Sequence, residues 1–117
     1  MLELLKPPKS MPQSEESERA VLAAVLLDPR LLPSVSGRLK AEDFHTERHR
    51  LIYATMLDLQ DSQVSIDLRT VQAKLEQKAA LESAGGLAYL AGLDVDLPDL
   101  GRFEHYVEIV KERSVRR

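Results

Sequence analysis

Apolar residues recur along this chain with the spacing of helices that bury one face. The clearest case lies in the middle of the chain, where four apolar residues follow an i, i+1, i+4, i+7 pattern. They are Ile52, Tyr53, Met56 and Leu59. Thr46, just before this run, is an acceptable N-cap. The pattern therefore predicts a helix that begins near Thr46 and buries one stripe of side chains.

A second helix-starting signal follows that helix. Asp67 can cap a helix whose apolar positions continue at Leu68, Val71 and Leu75. Ile66, just before the cap, can pack on Val71 in the arrangement called a hydrophobic staple. Two amphipathic helices are therefore predicted to meet at a defined corner.

Four further segments have helical patterns. The first is a helix capped by Ser14, and the second is a short or kinked segment after Asp28 and Pro29. The third is a short helix after Gly85-Gly86, and the last runs from about Arg102 to Arg116. No segment alternates apolar with polar residues over the length of a strand. We therefore predict an all-α domain, a compact orthogonal bundle of about six helices with no sheet.

The ends of the chain suggest its domain organisation. Residues 1–11 contain two adjacent prolines and no periodic pattern, so we expect a flexible N-terminal arm. Residues 12–117 then form one helical head domain, which is long enough to bury a core. Asp94 to Gly101 has the composition of a loop.

Composition excludes several classes of protein. There is no cysteine, so disulfides, thiol nucleophiles and zinc–thiolate sites are excluded, and a reducing, cytoplasmic location is expected. No apolar run approaches the roughly 18 residues that span a bilayer. The formal charge of −3 argues against a domain that mainly neutralises phosphates, so we expect little direct nucleic-acid binding. Basic residues gather at the C-terminus, where they suit the negative end of a helix dipole.

Candidate catalytic chemistry is sparse. None of the five glycines precedes a Lys-Ser or Lys-Thr pair, so no phosphate-cradling loop is present and no cofactor is expected. We predict no catalytic residues. His45 and His49 are four residues apart, the separation at which two histidines on one helix can share a metal. If Thr46 is the N-cap, however, His45 lies outside the helix, so we favour a packed His49 and no metal site.

Aromatic residues are the best candidates for protein contacts. Tyr89 falls off the apolar stripe of its short helix, so it either anchors a partner or lies along the surface with its hydroxyl in water. On the last helix, Phe103, Tyr106 and Val110 are candidates for packing or self-association, because apolar residues cover more of that helix than one core contact needs.

Several short motifs also occur in a specific order between Pro12 and Arg117. They are Pro12 with Ser14 and Glu18, Leu27-Asp28-Pro29, Glu42-Asp43-Phe44, His49 with Ile52 and Tyr53, Ile66-Asp67-Leu68, Gly85-Gly86-Leu87-Ala88-Tyr89-Leu90, and Ile109-Val110-Lys111-Glu112. In this order and spacing the chain resembles the N-terminal domain of the bacterial replicative DNA helicase of the DnaB type. Two positions depart from that family, namely His45, where an aromatic is usual, and Gly101-Arg102, which replaces small residues and an asparagine.

The resemblance implies a function that composition does not show. In that family the domain is a helical head without ATPase activity, while ATP and magnesium belong to a separate motor domain of a 5′–3′ DNA helicase. The heads pair, and three pairs form a collar that recruits primase through the C-terminal domain of primase. A helicase loader is a further candidate partner. This chain stops before or at the start of the helical hairpin that follows in the family.

Two other functions remain open. A stand-alone helical adaptor for another protein would have the same composition, and a longer gene that continues into a glycine-lysine nucleotide loop would separate the two cases. A small helical metal-binding protein is the second alternative, and it depends on His45 and His49.

Overall fold

A computed structural model describes residues 10–93, 95 and 99–117 of the chain, with side chains described from residue 15 onward. These residues form six α-helices and three short 3-10 turns, and they contain no strand. The helices are α1 (Ser10–Leu27), α2 (Leu32–Ser36), α3 (Glu47–Asp61), α4 (Leu68–Gln77), α5 (Gly86–Ala91) and α6 (Phe103–Arg116). The turns are Pro29–Leu31, Ala41–Asp43 and Leu100–Arg102. The predicted all-helical fold is confirmed.

The first helix begins one turn earlier than the sequence pattern indicated. Ser14 was the expected cap, but α1 begins at Ser10 and includes Met11, which had been assigned to the arm. Pro12 is compatible with this start, because an amide hydrogen in the first turn of a helix has no internal partner. The rest of the predicted arm, residues 1–9, lies outside the described residues, as do positions 94 and 96–98 of the predicted loop.

Polar caps fix two of the helix starts. Asp67 accepts a hydrogen bond from the Thr70 N–H at 2.8 Å, and the Thr70 hydroxyl accepts one from the Asp67 N–H at 3.0 Å. Asp28 accepts from the Arg30 N–H at 3.2 Å at the start of the first 3-10 turn. The predicted Asp67 cap is confirmed. Thr46 occupies the N-cap position of α3 as predicted, but its side chain makes no capping hydrogen bond. Pro33 lies within the first two residues of the new helix α2, so it interrupts no helical hydrogen bond.

Two helices end with a residue in left-handed backbone geometry that is not glycine. Gln63 after α3 and Ala79 after α4 both have φ of 57°. At the second of these ends the Ala80 N–H bonds the Leu75 carbonyl at 2.8 Å, and the Ala79 N–H bonds the Glu76 carbonyl at 3.0 Å. This pair of bonds is the Schellman motif, in which glycine is usual at the left-handed position.

A single hydrophobic cluster joins the elements. The α1 helix packs most extensively against α6. Its small residues Ala20, Ala23 and Ala24 are buried. The α3 helix contributes Tyr53, whose hydroxyl donates to the Leu39 carbonyl at 2.9 Å. The remaining buried members of the cluster include Leu22, Phe44, Met56, Val71, Leu75, Leu90 and Val107.

Candidate functional site

A carboxylate is buried in the middle of α1. Glu18 lies three and four residues before Val21 and Leu22, so it occupies the face of the helix that points into the core. Its side chain is 1% exposed. One carboxylate oxygen accepts the His45 backbone N–H at 2.6 Å, and the other lies 2.7 Å from Nδ1 of His49. Both oxygens are therefore hydrogen-bonded, as a buried carboxylate requires.

His49, in the first turn of α3, connects this carboxylate to Tyr89 on α5. The imidazole is 2% exposed, and its Nε2 lies 2.6 Å from the Tyr89 hydroxyl. An ionised carboxylate can only accept hydrogen bonds, so Nδ1 donates to Glu18. In the neutral imidazole Nε2 is then the acceptor, and the Tyr89 hydroxyl donates to it. The chain Glu18–His49–Tyr89 joins three helices through side chains alone.

The backbone at Gly85 brings the chain close to the tyrosine. Gly85 has φ of 105°, a left-handed geometry that favours glycine. A Cβ placed there would lie 2.8 Å from both Cβ and Cγ of Tyr89, closer than side-chain atoms pack. Gly85 therefore allows α5 to begin directly beside the Tyr89 side chain.

The Tyr89 ring is half-buried and lies close to two guanidinium groups. The Arg48 guanidinium is 4.5 Å from the ring centroid, and that of Arg19 is 5.9 Å away. Burial raises the pKa of Tyr89, and the positive charges of Arg19 and Arg48 only partly oppose this effect. These residues line an open cleft of about 650 Å³ between the N-terminal turn of α3 and α1. The cleft presents an aromatic face with positive charge beside it.

The other predicted contact residues lie on α6. Phe103 is 6% exposed and Val110 is 1% exposed, so both side chains pack inside this chain. Tyr106 is partly buried and packs against the core from its edge. Of the three candidates on α6, only Tyr106 keeps part of its side chain at the surface.

Asp43 holds the C-terminal end of α6. Its carboxylate accepts the Ser114 hydroxyl at 2.6 Å and the Lys40 backbone N–H at 2.7 Å, while its backbone carbonyl accepts from Arg117 at 2.7 Å. Burial opposes ionisation, but these two hydrogen bonds and the charge of Lys111 prevail, so the pKa of Asp43 is lowered. Part of the basic C-terminus therefore makes contacts within the chain.

The two histidines do not form a shared metal site. Both ring nitrogens of His49 are already bonded to protein groups, and His45 precedes the helix as the Thr46 boundary predicted. Among the described residues no group of three or more His, Cys, Asp or Glu side chains is arranged to hold a metal ion. His49 therefore serves as a bridge between protein side chains.

Sequence reasoning missed Glu18. In a helix capped by Ser14, Glu18 falls in the first turn, where an acidic group suits the helix dipole, so the pattern did not single it out. The signal was present: Glu18, Val21, Leu22 and Val25 follow the i, i+3, i+4, i+7 spacing of a buried stripe. A charged residue on such a stripe indicates a buried partner.

The helices and the cleft together define a small all-α domain. None of its described helices is both long and apolar enough to cross a membrane. The family model described as "DnaB-like helicase N terminal domain" matches residues 10–112. The chain belongs to this family, as the order of its short motifs had indicated.

Curated relatives agree with this assignment. The chain is 43% identical over 106 residues to the replicative DNA helicase DnaB of Geobacillus stearothermophilus, and 39% identical over 106 residues to the replicative DNA helicase DnaC of Bacillus subtilis. Each match covers 91% of this chain and 23% of the relative. The chain thus spans about a quarter of the length of these relatives.

Solved structures show the same fold. The N-terminal domain of DnaB helicase from Mycobacterium tuberculosis matches with a TM-score of 0.82 and 31% identity, over 87% of this chain and 73% of that chain. The corresponding domain from Helicobacter pylori, described with its interactions with primase, matches with a TM-score of 0.78 and 25% identity, over 93% and 85% of the two chains. A DnaB-like replicative helicase, also described with its interactions with primase, matches with a TM-score of 0.78 and 31% identity, over 88% and 24%.

Proposed function

We propose that this chain is the non-catalytic head domain of a hexameric replicative DNA helicase. Residues 12–117 form the head, which associates with other heads into a collar and recruits the C-terminal domain of primase at the replication fork in the cytoplasm. ATP hydrolysis and 5′–3′ unwinding belong to a motor domain elsewhere in the longer protein. Family membership supports this proposal, together with two related structures described with primase.

Recruitment is a task that such a domain can perform without chemistry. A head attached to a ring around one DNA strand holds primase near that strand, which raises the local concentration of primase. The surface that contacts primase then needs to be complementary to primase and needs no catalytic group. A helicase loader is a second candidate partner for the same surface.

Tyr89 is the residue we propose for the partner contact. The observation that carries this proposal is the bond between the Tyr89 hydroxyl and the buried His49, which fixes a half-exposed aromatic ring on a rigid base. A ring held this way loses little entropy when a partner covers it. Aromatic side chains in such positions are frequent hot spots of binding.

Replacement of Tyr89 in the complete helicase tests this role. We expect Tyr89→Ala to weaken binding of the primase C-terminal domain at least about tenfold, the loss typical of a hot spot. Tyr89→Phe keeps the ring but removes its bond to His49, so it should weaken binding by less than Tyr89→Ala does. Isothermal titration calorimetry measures both variants. Unchanged binding by Tyr89→Ala would remove Tyr89 from the interface.

Self-association is assigned to a different face. Since Phe103 and Val110 are buried, we propose Tyr106 as the α6 residue that contacts another head. In the same titration Tyr106→Ala should bind primase like the unmodified helicase, while sedimentation shows weaker assembly of heads. A gene that continues past Arg117 without a glycine-lysine nucleotide loop would instead favour the stand-alone adaptor.

A further inference from the structure

The segment that leads into α3 is held by side chains from other parts of the chain. The backbone carbonyls of Phe44 and His45 accept from the Arg50 guanidinium at 3.1 and 2.7 Å. The His45 N–H donates to the Glu18 carboxylate at 2.6 Å. Backbone polar groups that lie outside helices need such partners when water does not reach them. Residues 43–45, called the linking segment below, are therefore fixed in place by α1 and α3.

The side chain of Phe44 makes the linking segment rigid. It is fully buried, and its ring centroid lies 4.7 Å from that of Tyr53. Close-packed interiors have low compressibility and transmit strain. A shift imposed at one end of the linking segment therefore reaches its other end.

The C-terminal end of α6 is attached to the first residue of the linking segment. The Asp43 carboxylate accepts the Ser114 hydroxyl at 2.6 Å, and the Asp43 carbonyl accepts from Arg117 at 2.7 Å. The ammonium group of Lys111 lies 3.6 Å from the same carboxylate. Hydrogen bonds that involve a charged group are stronger than neutral ones. The position of Asp43 is thus tied to the position of the α6 end.

The last residue of the linking segment is attached to the buried polar chain. One oxygen of Glu18 accepts the His45 N–H, and the other accepts from Nδ1 of His49, which in turn bonds the Tyr89 hydroxyl through Nε2. Residues in one hydrogen-bond network are energetically coupled, whereas distant residues without shared partners are nearly independent. A continuous set of contacts therefore runs from the end of α6 to the Tyr89 ring.

We propose that the linking segment couples the C-terminal end of α6 to the Tyr89 ring. A displacement of the α6 end moves Asp43, and the linking segment passes this movement to Glu18, His49 and the Tyr89 hydroxyl. Such coupling is reciprocal, so a partner that covers Tyr89 also changes the position of the α6 end. The role of a partner rests on the proposed function. The coupling itself lies within this chain and is tested without any partner.

Removal of one hydroxyl group at the end of α6 tests the coupling on the isolated chain. Ser114→Ala removes a bond to Asp43 and touches no member of the buried polar chain. In nitrogen-15 NMR spectra we expect the ring signals of His49 and Tyr89 to shift in this variant. Ser114→Thr, which keeps the hydroxyl, should leave them close to their original positions.

Ser36→Ala is the matched control for this change. Ser36 is also a half-buried helical serine, and its hydroxyl donates to the Pro33 carbonyl, outside the contacts that reach Tyr89. It should leave the ring signals of His49 and Tyr89 unshifted. Urea melts of every variant show whether the fold is intact. Lys111→Gln, which removes the charge beside Asp43, replaces Ser114→Ala if that variant unfolds.

A double-mutant cycle with Tyr89→Phe measures the strength of the coupling. The effect of Ser114→Ala on the unfolding equilibrium constant should differ at least about threefold between the unmodified and the Tyr89→Phe backgrounds. The effect of Ser36→Ala should agree within about twofold, as expected for unconnected sites. In the Tyr89→Phe background Ser114→Ala should still shift the His49 signals but leave the ring at position 89 unshifted, because the last bond is missing.

The inference is wrong if Ser114→Ala leaves the His49 and Tyr89 signals in place, or if Ser36→Ala moves them as much. It is also wrong if the effect of Ser114→Ala is the same in both backgrounds. Coupling as expected, combined with primase binding that is insensitive to Tyr89→Ala, would refute the proposed function but leave the coupling in place. Primase binding that depends on Tyr89, without coupling, would leave the proposed function and remove the inference.

Discussion

Gly85 is the position where a single methyl group tests the geometry of the site most directly. In Gly85→Ala the new Cβ would lie 2.8 Å from Cβ and Cγ of Tyr89, and the residue would keep a φ of 105°. Gly86→Ala is a matched control, because Gly86 also has a positive φ, 82°, but its Cβ would meet nothing closer than 3.8 Å. Both variants place alanine at a positive φ, and only Gly85→Ala also meets Tyr89 at close range.

The expected losses of unfolding free energy follow from the backbone strain and from the contact with Tyr89. Alanine in a left-handed conformation costs about 1–2 kcal/mol. Replacing glycine also reduces the conformational entropy of the unfolded chain, which raises the unfolding free energy of both variants by about 0.4–1 kcal/mol. Gly86→Ala should therefore lose about 1 kcal/mol of unfolding free energy. In Gly85→Ala the overpacking against Tyr89 adds about 1–3 kcal/mol, so the total loss should be about 3 kcal/mol.

Urea unfolding followed by circular dichroism measures both losses. The expected difference between the variants, about 2 kcal/mol, is a substantial fraction of the 5–15 kcal/mol that stabilises a typical domain. NMR spectra should also show that the His49 ring signals move in Gly85→Ala and stay in place in Gly86→Ala, since only the first displaces Tyr89. Equal stability of the two variants, with unchanged His49 signals, would refute the close contact between Gly85 and Tyr89.

Two further predictions concern other parts of the chain. Ala79→Gly should raise the unfolding free energy by about 0.5–1 kcal/mol, because glycine adopts the left-handed backbone geometry without strain. The control Ala73→Gly, inside α4, should lower the unfolding free energy by about 1 kcal/mol. Urea melts in which both variants change stability in the same direction would contradict this prediction. Because the fold lowers the pKa of Asp43, its contribution to stability is present above the ordinary carboxyl pKa of about 4 and is lost as the pH falls through the lower folded value. The difference in unfolding free energy between the unmodified chain and Asp43→Asn should therefore close in acid. Ser114→Ala removes one hydrogen bond to the carboxylate, so it should make that difference smaller at neutral pH. A difference that stays constant from pH 7 to pH 3 would show that the carboxylate charge is not its source.

The amphipathic helices were predictable because their signal is local. The stripes of α3 and α4 each repeat within one helix, and the Asp67 cap needs only residues that are near in sequence. The Asp67 cap formed where the pattern placed it, and the structure adds the reciprocal bond to Thr70. Periodicity and capping are short-range effects, so one sequence is enough to show them.

The buried polar chain was not predictable for the same reason. Glu18 and His49 are 31 residues apart, and His49 and Tyr89 are 40 apart, so no local pattern connects them. The wrong start predicted for α1 also hid the buried position of Glu18. With the helix expected at Ser14, Glu18 lay in the first turn, where an acidic group suits the helix dipole. With the start at Ser10, the same residue lies two turns into the helix, on its core face.

The position of Glu18 and His49 in the core also needs a physical reason. A buried polar pair is seldom more stabilising than apolar side chains of the same size, because both groups must lose their water. Apolar side chains of the same size, however, make no directional hydrogen bonds. The Glu18–His49 pair sets which imidazole nitrogen faces Tyr89, and that nitrogen fixes the tyrosine hydroxyl at 2.6 Å. The pair thus links α3 and α5 to α1 and holds the Tyr89 ring at the edge of the cleft in a single orientation.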